Sequence, residues 1–555
     1  MSALSELRIL EGPNLYFPRA AVKLTLDVSA LVEGPAADVR ALAAALSTRG
    51  KSVGAPGSTF RQGVVMRLVE ALVRRLARGA GTTRLGVRVR PTSAPSTIVV
   101  AYPWRHRSRA VALGEAVAAV LDQGPQGIED AIGVLRASDL GPGPTTLRPR
   151  VPVVAVTGTN GKTTTSRMIA HIARTSGLLT GWSNTDGIYI DGELIEAGDY
   201  SGPSGAGRVL ARPEVQFAVT ETARGGILLK GIGLVHNDVS VVTNVTADHL
   251  GLHGIDTLDQ LAEVKGVVPR ITKRSGWAIL NADDPRVLAM PTPAKIWIFT
   301  RDPASPAIRE VIGRGGRATT VMDHQVSVLR AGQDPEVLLP IADVPMTLAG
   351  LSRFNVENVL AAASAALAIG IDPQHVIEGL RSFRPDATHN PGRMNFFTLN
   401  GISVVLDLAH NEAGLEALVE IMRGVVVPGG RTMLALGVVG DRTEELITNL
   451  GEIAAKGCDL VVIGHKERYL RGRTLAELET WMRAGAARVG VPDVPAYATE
   501  LESVQALLQQ ARPGDVIGLM CHAQREEVVQ WLESQGATAD SPEVLREKVR
   551  RAQAD

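Results

Sequence analysis

Apolar positions recur at two different periods along the chain and divide it into three stretches. Over residues 1–150, strand-like runs at 22–28 and 96–101 accompany a helical three-and-four spacing across 64–76. A Gly- and Pro-rich loop over 140–152 closes that stretch and reads as a linker. From residue 151 short, continuous apolar runs take over, at 153–156, 216–220, 240–243 and 277–280. Helical patterns separate them, including 164–175, 257–268 and 355–369. Strands of that kind alternating with helices predict a parallel sheet covered on both faces. Residues 319–340 alternate instead as antiparallel strands, expected to form a side ornament.

After about residue 388 the alternation restarts. Strands are predicted at 402–406, 433–437, 460–463 and 516–520, with helices near 413–423, 443–455, 474–488 and 525–534. This is a second α/β unit of Rossmann type, although the G-x-G-x-x-G fingerprint is absent. The expected fold is therefore α/β in three domains. An α+β N-terminal domain spans 1–150, a central parallel-sheet domain, whose first strand-to-helix turn is the P-loop of an ATPase by the motif given below, 151–388, and a Rossmann-like C-terminal domain 389–555.

Composition narrows the picture modestly. A chain of 555 residues exceeds what one core can bury. Lys plus Arg and Asp plus Glu number 58 each, so no global field recruits nucleic acid or an anionic membrane, and any phosphate affinity must be local. Only Cys458 and Cys521 occur, without metal-ligand spacing, which suits a reducing compartment and excludes a cysteine-based zinc site. The first residues show no signal-peptide core and no apolar run of about 18 residues appears, so a cytoplasmic location is expected.

The strongest chemical signal is Thr157-Gly158-Thr159-Asn160-Gly161-Lys162-Thr163-Thr164, placed between a predicted strand and a predicted helix. Its glycines let backbone N–H groups approach phosphate oxygens, and the helix N-terminus adds a favourable dipole. Lys162 would reach the β- and γ-phosphates of ATP, and the Thr163 hydroxyl would join a Mg²⁺ shell. The strict Walker pattern asks for Gly where Val156 stands, so the loop is a variant. Read blandly it is a Gly-rich turn with an exposed lysine, but strand, loop and helix come in the order that the phosphate reading requires.

Further candidates follow at the C-terminal ends of predicted strands, where open α/β sheets bind ligands. These are Glu221, Asp248 and His249, with Lys265 on the next helix beside the apolar seam Leu258, Leu261, Val264. Alone, each has an ordinary alternative: a capping acid, a satisfied histidine, a lysine that snorkels past its seam. Behind a P-loop, together, they outweigh those alternatives.

In this order the residues resemble the Mur ligases. The likeness rests on 157–164, Glu221, 244–249 with Lys265, Leu280-Asn281-Ala282-Asp283-Asp284, Gly350 to Asn358, Gly392-Arg393 and Asp407-Leu408-Ala409-His410-Asn411. A narrower likeness, through Gly198-Asp199-Tyr200-Ser201-Gly202-Pro203-Ser204 and Arg471-Gly472-Arg473, is to the Mur-like C-terminal half of the cyanophycin synthetases. Gly12-Pro13-Asn14 resembles their N-terminal domain more weakly. Their ATP-grasp domain, which extends the Asp backbone, has no counterpart between residue 140 and the P-loop.

The resemblance implies an ATP- and Mg²⁺-dependent ligase that activates a carboxylate as an acyl phosphate and joins it to an amine. The implied substrates are amino acids or Asp-containing peptides, with Arg as a candidate amine and no nucleic acid or membrane partner. It implies metal roles for Thr163, Glu221, His249 and Lys265, the last matching a lysine carbamylated in many Mur ligases. It also implies catalytic roles for Lys162, Glu221, His249, Lys265 and Arg393, with Asn355 and Asn358 near the base, Arg393 near the phosphates, and Asp407 and His410 closing in from the C-terminal domain. Arg471 to Arg473 and residues 202–207 are loop-like segments that could line an amine pocket or be plain surface turns. Rivals are a folylpolyglutamate-synthetase-like ligase and a catalytically silent nucleotide-binding partner; homo-oligomerisation stays open.

Overall fold

The computed structural model describes residues 2–48, 52–248 and 250–553. These residues build three sheets, each with its own apolar cluster or pair of clusters.

The first sheet is antiparallel, with Ala21–Asp27 and Thr97–Pro103 at its centre and Leu4–Leu10 and Arg88–Pro91 at its edges. Helices Thr59–Gly79 and Arg107–Gln123 contribute to its core. In the first of them Val65, Leu68, Val69, Leu72, Val73 and Leu76 fall on one stripe at helical spacing and are all buried.

The second sheet has eleven strands. Val153–Thr157 lies at its middle, parallel to Phe217–Glu221 on one side and Asn237–Val242 on the other. Its side chains alternate between the two faces. Val154 and Val156 join Met168, Ile169 and Ile172 in one cluster, whereas Val153 and Ala155 join Ile227, Leu261 and Val264 in the other. Burial on both faces explains why this strand reads as an unbroken apolar run. The side ornament expected over 319–340 is absent as such. Arg317–Met322 pairs in parallel with Lys295–Phe299, and Gln325–Arg330 and Glu336–Pro340 follow antiparallel, so these strands extend the main sheet. Alternation identifies strands but not the edge they dock on, and the open ladder of Lys295–Phe299 supplies that edge.

The third sheet has seven strands, with Val516–Met520 between Ile402–Asp407 and Thr432–Leu436 in parallel. Helices Glu412–Val425, Glu444–Gly457, Leu475–Ala487 and Arg525–Ser534 occupy the predicted places. Helices Glu500–Gln510 and Pro542–Ala552 were not anticipated. The protein is thus a mixed α/β structure with parallel sheets.

The first sheet is joined to the second through main chain. Glu11 N–H donates to Lys230 O and Ile232 N–H to Pro13 O, both at 2.7 Å. A Cβ on Gly12 would overlap the Ile232 carbonyl oxygen, so only glycine allows this approach. The Asn14 side chain holds the following turn, accepting from Tyr16 and Phe17 N–H and donating to the Gly12 and Arg19 carbonyls. That turn delivers Leu15 into the apolar cluster of the second sheet.

Candidate active site

Strand Val153–Thr157 runs into a turn and then helix Lys162–Thr175. The turn is held from the neighbouring strand end. Thr159 N–H donates to Asn244 O and Asn160 N–H to Asn244 Oδ1, each at 2.9 Å, while Thr243 Oγ1 donates to Asn160 O at 2.6 Å. Gly161 sits at the helix N-terminus with φ +83°, and a Cβ there would overlap Asn358 Oδ1. No side chain caps this helix. Its first N–H groups and dipole therefore face the cleft, which is how a backbone binds phosphate. Lys162 Nζ donates to Thr159 O at 2.7 Å and curls over the same turn.

Beneath the turn, Thr163 Oγ1 donates to Glu221 Oε2 at 2.8 Å and lies at the same distance from Thr185 Oγ1. Glu221 ends strand Phe217–Glu221 and is 1% exposed. Burial raises its pKa, and the nearby Lys162 opposes that rise.

Lys265 is the last residue of helix Leu258–Lys265, whose start is set by a capping box between Thr257 and Gln260. It does not snorkel. Its side chain is buried and Nζ donates to Gly158 O at 2.7 Å, directly behind the phosphate turn. Burial, and then the charge of Lys162, press its pKa well below the usual lysine range.

On the other side of the turn, Asn358 Nδ2 donates to Asn355 Oδ1 at 3.1 Å, and Thr165 Oγ1 donates to Asn358 Oδ1 at 3.1 Å. The Thr164 hydroxyl accepts from Asn390 Nδ2 at 3.2 Å. Arg393 Nη1 donates to Asp186 Oδ2 at 3.1 Å. Asp407 ends strand Ile402–Asp407 and accepts from Met394 N–H at 3.0 Å. Burial pushes its carboxyl up to about 6. His410 Nε2 lies 3.8 Å from Asp248 Oδ2, across the boundary between the second and third sheets.

Most of these groups line one cleft of about 920 Å³. It gathers Gly158, Thr159, Asn160, Gly161, Lys162, Thr163 and Thr164 with Glu221, Lys265, Asn355, Asn358, Arg393, Asp407 and His410. His249 lies outside the described residues. Arg471 also lines the cleft, whereas Arg473 stacks over Trp481 with its guanidinium 5.0 Å from the ring centroid. Residues 203–207 are not loop-like but open helix Pro203–Leu210, and it is Ser201 just before them that faces the cleft.

Several cleft residues escaped the sequence reading. Asp186 carries Arg167 at 3.0 Å, Arg393 at 3.1 Å and Arg525 at 3.7 Å, gathering guanidinium groups from distant parts of the chain. It lies just beyond strand Thr180–Ser183, which the apolar pattern does not predict, so the strand-end rule that marks Glu221 does not reach it. Arg442, which does not line the cleft itself, lies 3.3 Å from cleft-lining Asp248 and follows the Gly-rich turn after strand Thr432–Leu436. No local signal ties Arg525 to Asp186.

Comparisons with known proteins agree with this geometry. A cyanophycin synthetase of Crocosphaera subtropica (strain ATCC 51142 / BH68) is 39% identical over 371 residues, 66% of this chain and 42% of the relative. The chain thus spans about two fifths of the length of that relative. Among solved structures, E. coli FolC in complex with DHPP and ADP superposes with a TM-score of 0.52 at 19% identity, covering 70% of this chain and 90% of FolC. A bifunctional folylpolyglutamate synthase/dihydrofolate synthase with Mn, AMPPNP and L-glutamate bound gives 0.50 at 17% identity, covering 69% and 89%. At such identities these two establish the fold alone. The family model for the Mur ligase middle domain matches residues 156–366 and that for the Mur ligase glutamate ligase domain matches 392–522, together more than half of the chain. With the phosphate turn, Glu221 and Lys265 in the first match and Arg393, Asp407 and His410 in the second, the chain belongs to the Mur ligase family.

Proposed function

We propose that this protein is an ATP-dependent carboxylate–amine ligase that works through an acyl phosphate. The observation that carries the reading is one cleft in which an uncapped helix N-terminus, Lys162, the Thr163–Glu221 oxygen pair and buried Lys265 face Arg393, Asp407 and His410.

Thr163 Oγ1 and a Glu221 carboxylate oxygen, 2.8 Å apart, are hard donors of the kind Mg²⁺ accepts, and phosphates and water commonly complete its shell. Bound there, Mg²⁺ would neutralise charge between the phosphates and the incoming carboxylate. The backbone N–H groups at the start of Lys162–Thr175 hold the phosphates, and Lys162 leaves Thr159 O to meet them. The substrate carboxylate then attacks the γ-phosphorus, the bond to the ADP oxygen breaks, and the acyl phosphate forms. An uncharged amine attacks the acyl carbon, and phosphate departs with the proton that the amine gives up. Arg393 and the other cleft guanidiniums stabilise the oxyanion between those events. Burial of Lys265 favours its uncharged amine, the form that adds CO₂ in carbamylated lysines. On this reading the three proposed domains are 1–150, 151–388 and 389–555, and His249 would be a further residue serving the metal.

The cyanophycin synthetase likeness favours an amino acid or Asp-containing peptide as acceptor, with Arg as the amine. Lacking a counterpart of the ATP-grasp domain between the first sheet and the phosphate turn, the chain would perform side-chain addition without extending a backbone. No helix among the described residues is long and apolar enough to cross a membrane.

The test is ADP release from ATP and Mg²⁺ with pairs of acids and amines, Asp peptides with Arg set against a pterin with Glu. The expected result is release that needs an acid, conversion to an acyl hydroxamate when hydroxylamine replaces the amine, and loss of both in Lys162→Ala. Release that ignores added acid and amine would overturn the reading. Response to the pterin pair alone would move the substrate to the folylpolyglutamate type. Nucleotide binding without turnover for any pair would leave a silent nucleotide-binding partner.

A further inference from the structure

The first sheet contributes no residue to the lining of the cleft. Its edge strand Arg88–Pro91 meets helix Leu258–Lys265 through one side-chain pair. Arg90 Nη1 and Nη2 donate to Glu263 Oε2 and Oε1 at 2.8 and 2.7 Å, a two-point contact that fixes orientation as well as distance. Glu263 stands two residues before Lys265 on that helix. The Arg90 guanidinium also lies 5.5 Å from the Tyr16 ring centroid, and Tyr16 packs against the apolar cluster of the second sheet. The same turn brings Leu15 into that cluster, and the Gly12 joint ties its start to Lys230 and Ile232, just after helix Arg224–Leu229.

From the first sheet, therefore, contacts reach two helices that end at the cleft, one bearing Arg224 and the other Lys265. Side chains of Arg90 and Glu263 are 35% and 38% exposed, so their attraction alone adds little to stability. Placement is what the pair supplies, because Lys265 Nζ must sit 2.7 Å from Gly158 O within a packed core.

We infer that Arg90 is a positioning residue for the reaction, orienting through Glu263 the helix that presents Lys265 behind the phosphate turn. The inference rests on the ligase reading for the role of Lys265. It assigns the N-terminal sheet a share in turnover without contact with any substrate.

Full-length Arg90→Glu, Glu263→Arg and the double exchange test it, read by steady-state ADP release, by hydrogen–deuterium exchange over residues 258–265, and by melting temperature. Each single change should lower kcat about tenfold, since misplacement of an ångström or less costs up to about 10²-fold. KM for ATP should stay within about twofold and melting close to wild type, with faster exchange in the helix. The double exchange restores the two-point contact in reverse and should recover most of the kcat and slow exchange. Single variants with wild-type kcat and exchange would overturn the inference, as would a double variant no better than the singles. Because exchange is read without turnover, an inactive wild type would count against the ligase reading, and unaltered exchange against this one.

Discussion

Two strand–turn–helix units of the same plan meet at the cleft. In the second sheet Val153–Thr157 leads to helix Lys162–Thr175, and in the third Ile402–Asp407 leads to helix Glu412–Val425. Both helices are 14 residues long, so their dipoles are alike. Their first turns are opposites. The first helix opens on Gly161 with no capping side chain and has Lys162 as its first residue. The second is plugged by Asn411, whose side chain accepts from Gly414 N–H at 2.9 Å, and begins with Glu412. A helix N-terminus becomes an anion site only when its N–H groups are left unspent and the nearby charge is positive. The Rossmann-like unit therefore faces the cleft without repeating the phosphate site. The two turns touch through their asparagines, Asn411 Nδ2 donating to Asn160 Oδ1 at 3.0 Å.

Four changes would break or sharpen this contrast. Lys162→Ala removes the charge from the open turn and should cut kcat/KM by roughly 10²–10³-fold, the scale of losing a donor aimed at developing charge. Steady-state ADP release reads it; retention of a tenth of wild-type activity would contradict the assignment. Gly161→Ala forces a Cβ into the left-handed region, at about 1–2 kcal/mol, and against Asn358 Oδ1 as well. Calorimetric titration should show ATP affinity weakened more than tenfold.

Asp407→Asn probes the plugged unit through pH. Burial raises this carboxyl from 3.8 to about 6, so the folded chain keeps a proton that the unfolded chain has lost between those values. Stability tied to the protonated form is complete below 3.8 and is lost as pH rises through about 6, a change on the order of 3 kcal/mol at most. Melts should show Asn more stable than Asp at about pH 7.5 and level with it at about pH 4; an equal offset at both would refute the shift. Asn411→Ala should have the smallest effect, costing about 1 kcal/mol as a lost cap and lowering the melting temperature by about 2–4 °C. Nucleotide titration of that variant should be near wild type if the capped helix holds no phosphate.

The phosphate turn was legible in the sequence because backbone geometry demands glycine at 161, and glycine leaves a written trace. Glu221 was legible as a polar residue ending an apolar run, whereas Asp407, which also ends a strand, came only with the family resemblance. What the strands 317–340 add to was not, since period-two patterning is blind to the partner edge. Nor was the Asp186 cluster, because pairing with Arg525 is a fact of tertiary approach that neither residue advertises. Lys265 was ambiguous for a related reason. An amphipathic seam looks the same whether its lysine reaches outward to water or inward to Gly158 O.

The joint at Gly12 has a consequence for how this protein can vary. It is made of carbonyls and N–H groups, so the side chains of Glu11 and Lys230 can be exchanged without touching it. Gly12 itself admits no replacement. A saturation library across residues 8–20 should therefore tolerate no substitution at Gly12, lose the turn and its apolar anchor at Asn14 and Leu15, and stay permissive at exposed Pro18 and Arg19. Homologues that keep this docking should keep that glycine while the surrounding surface drifts.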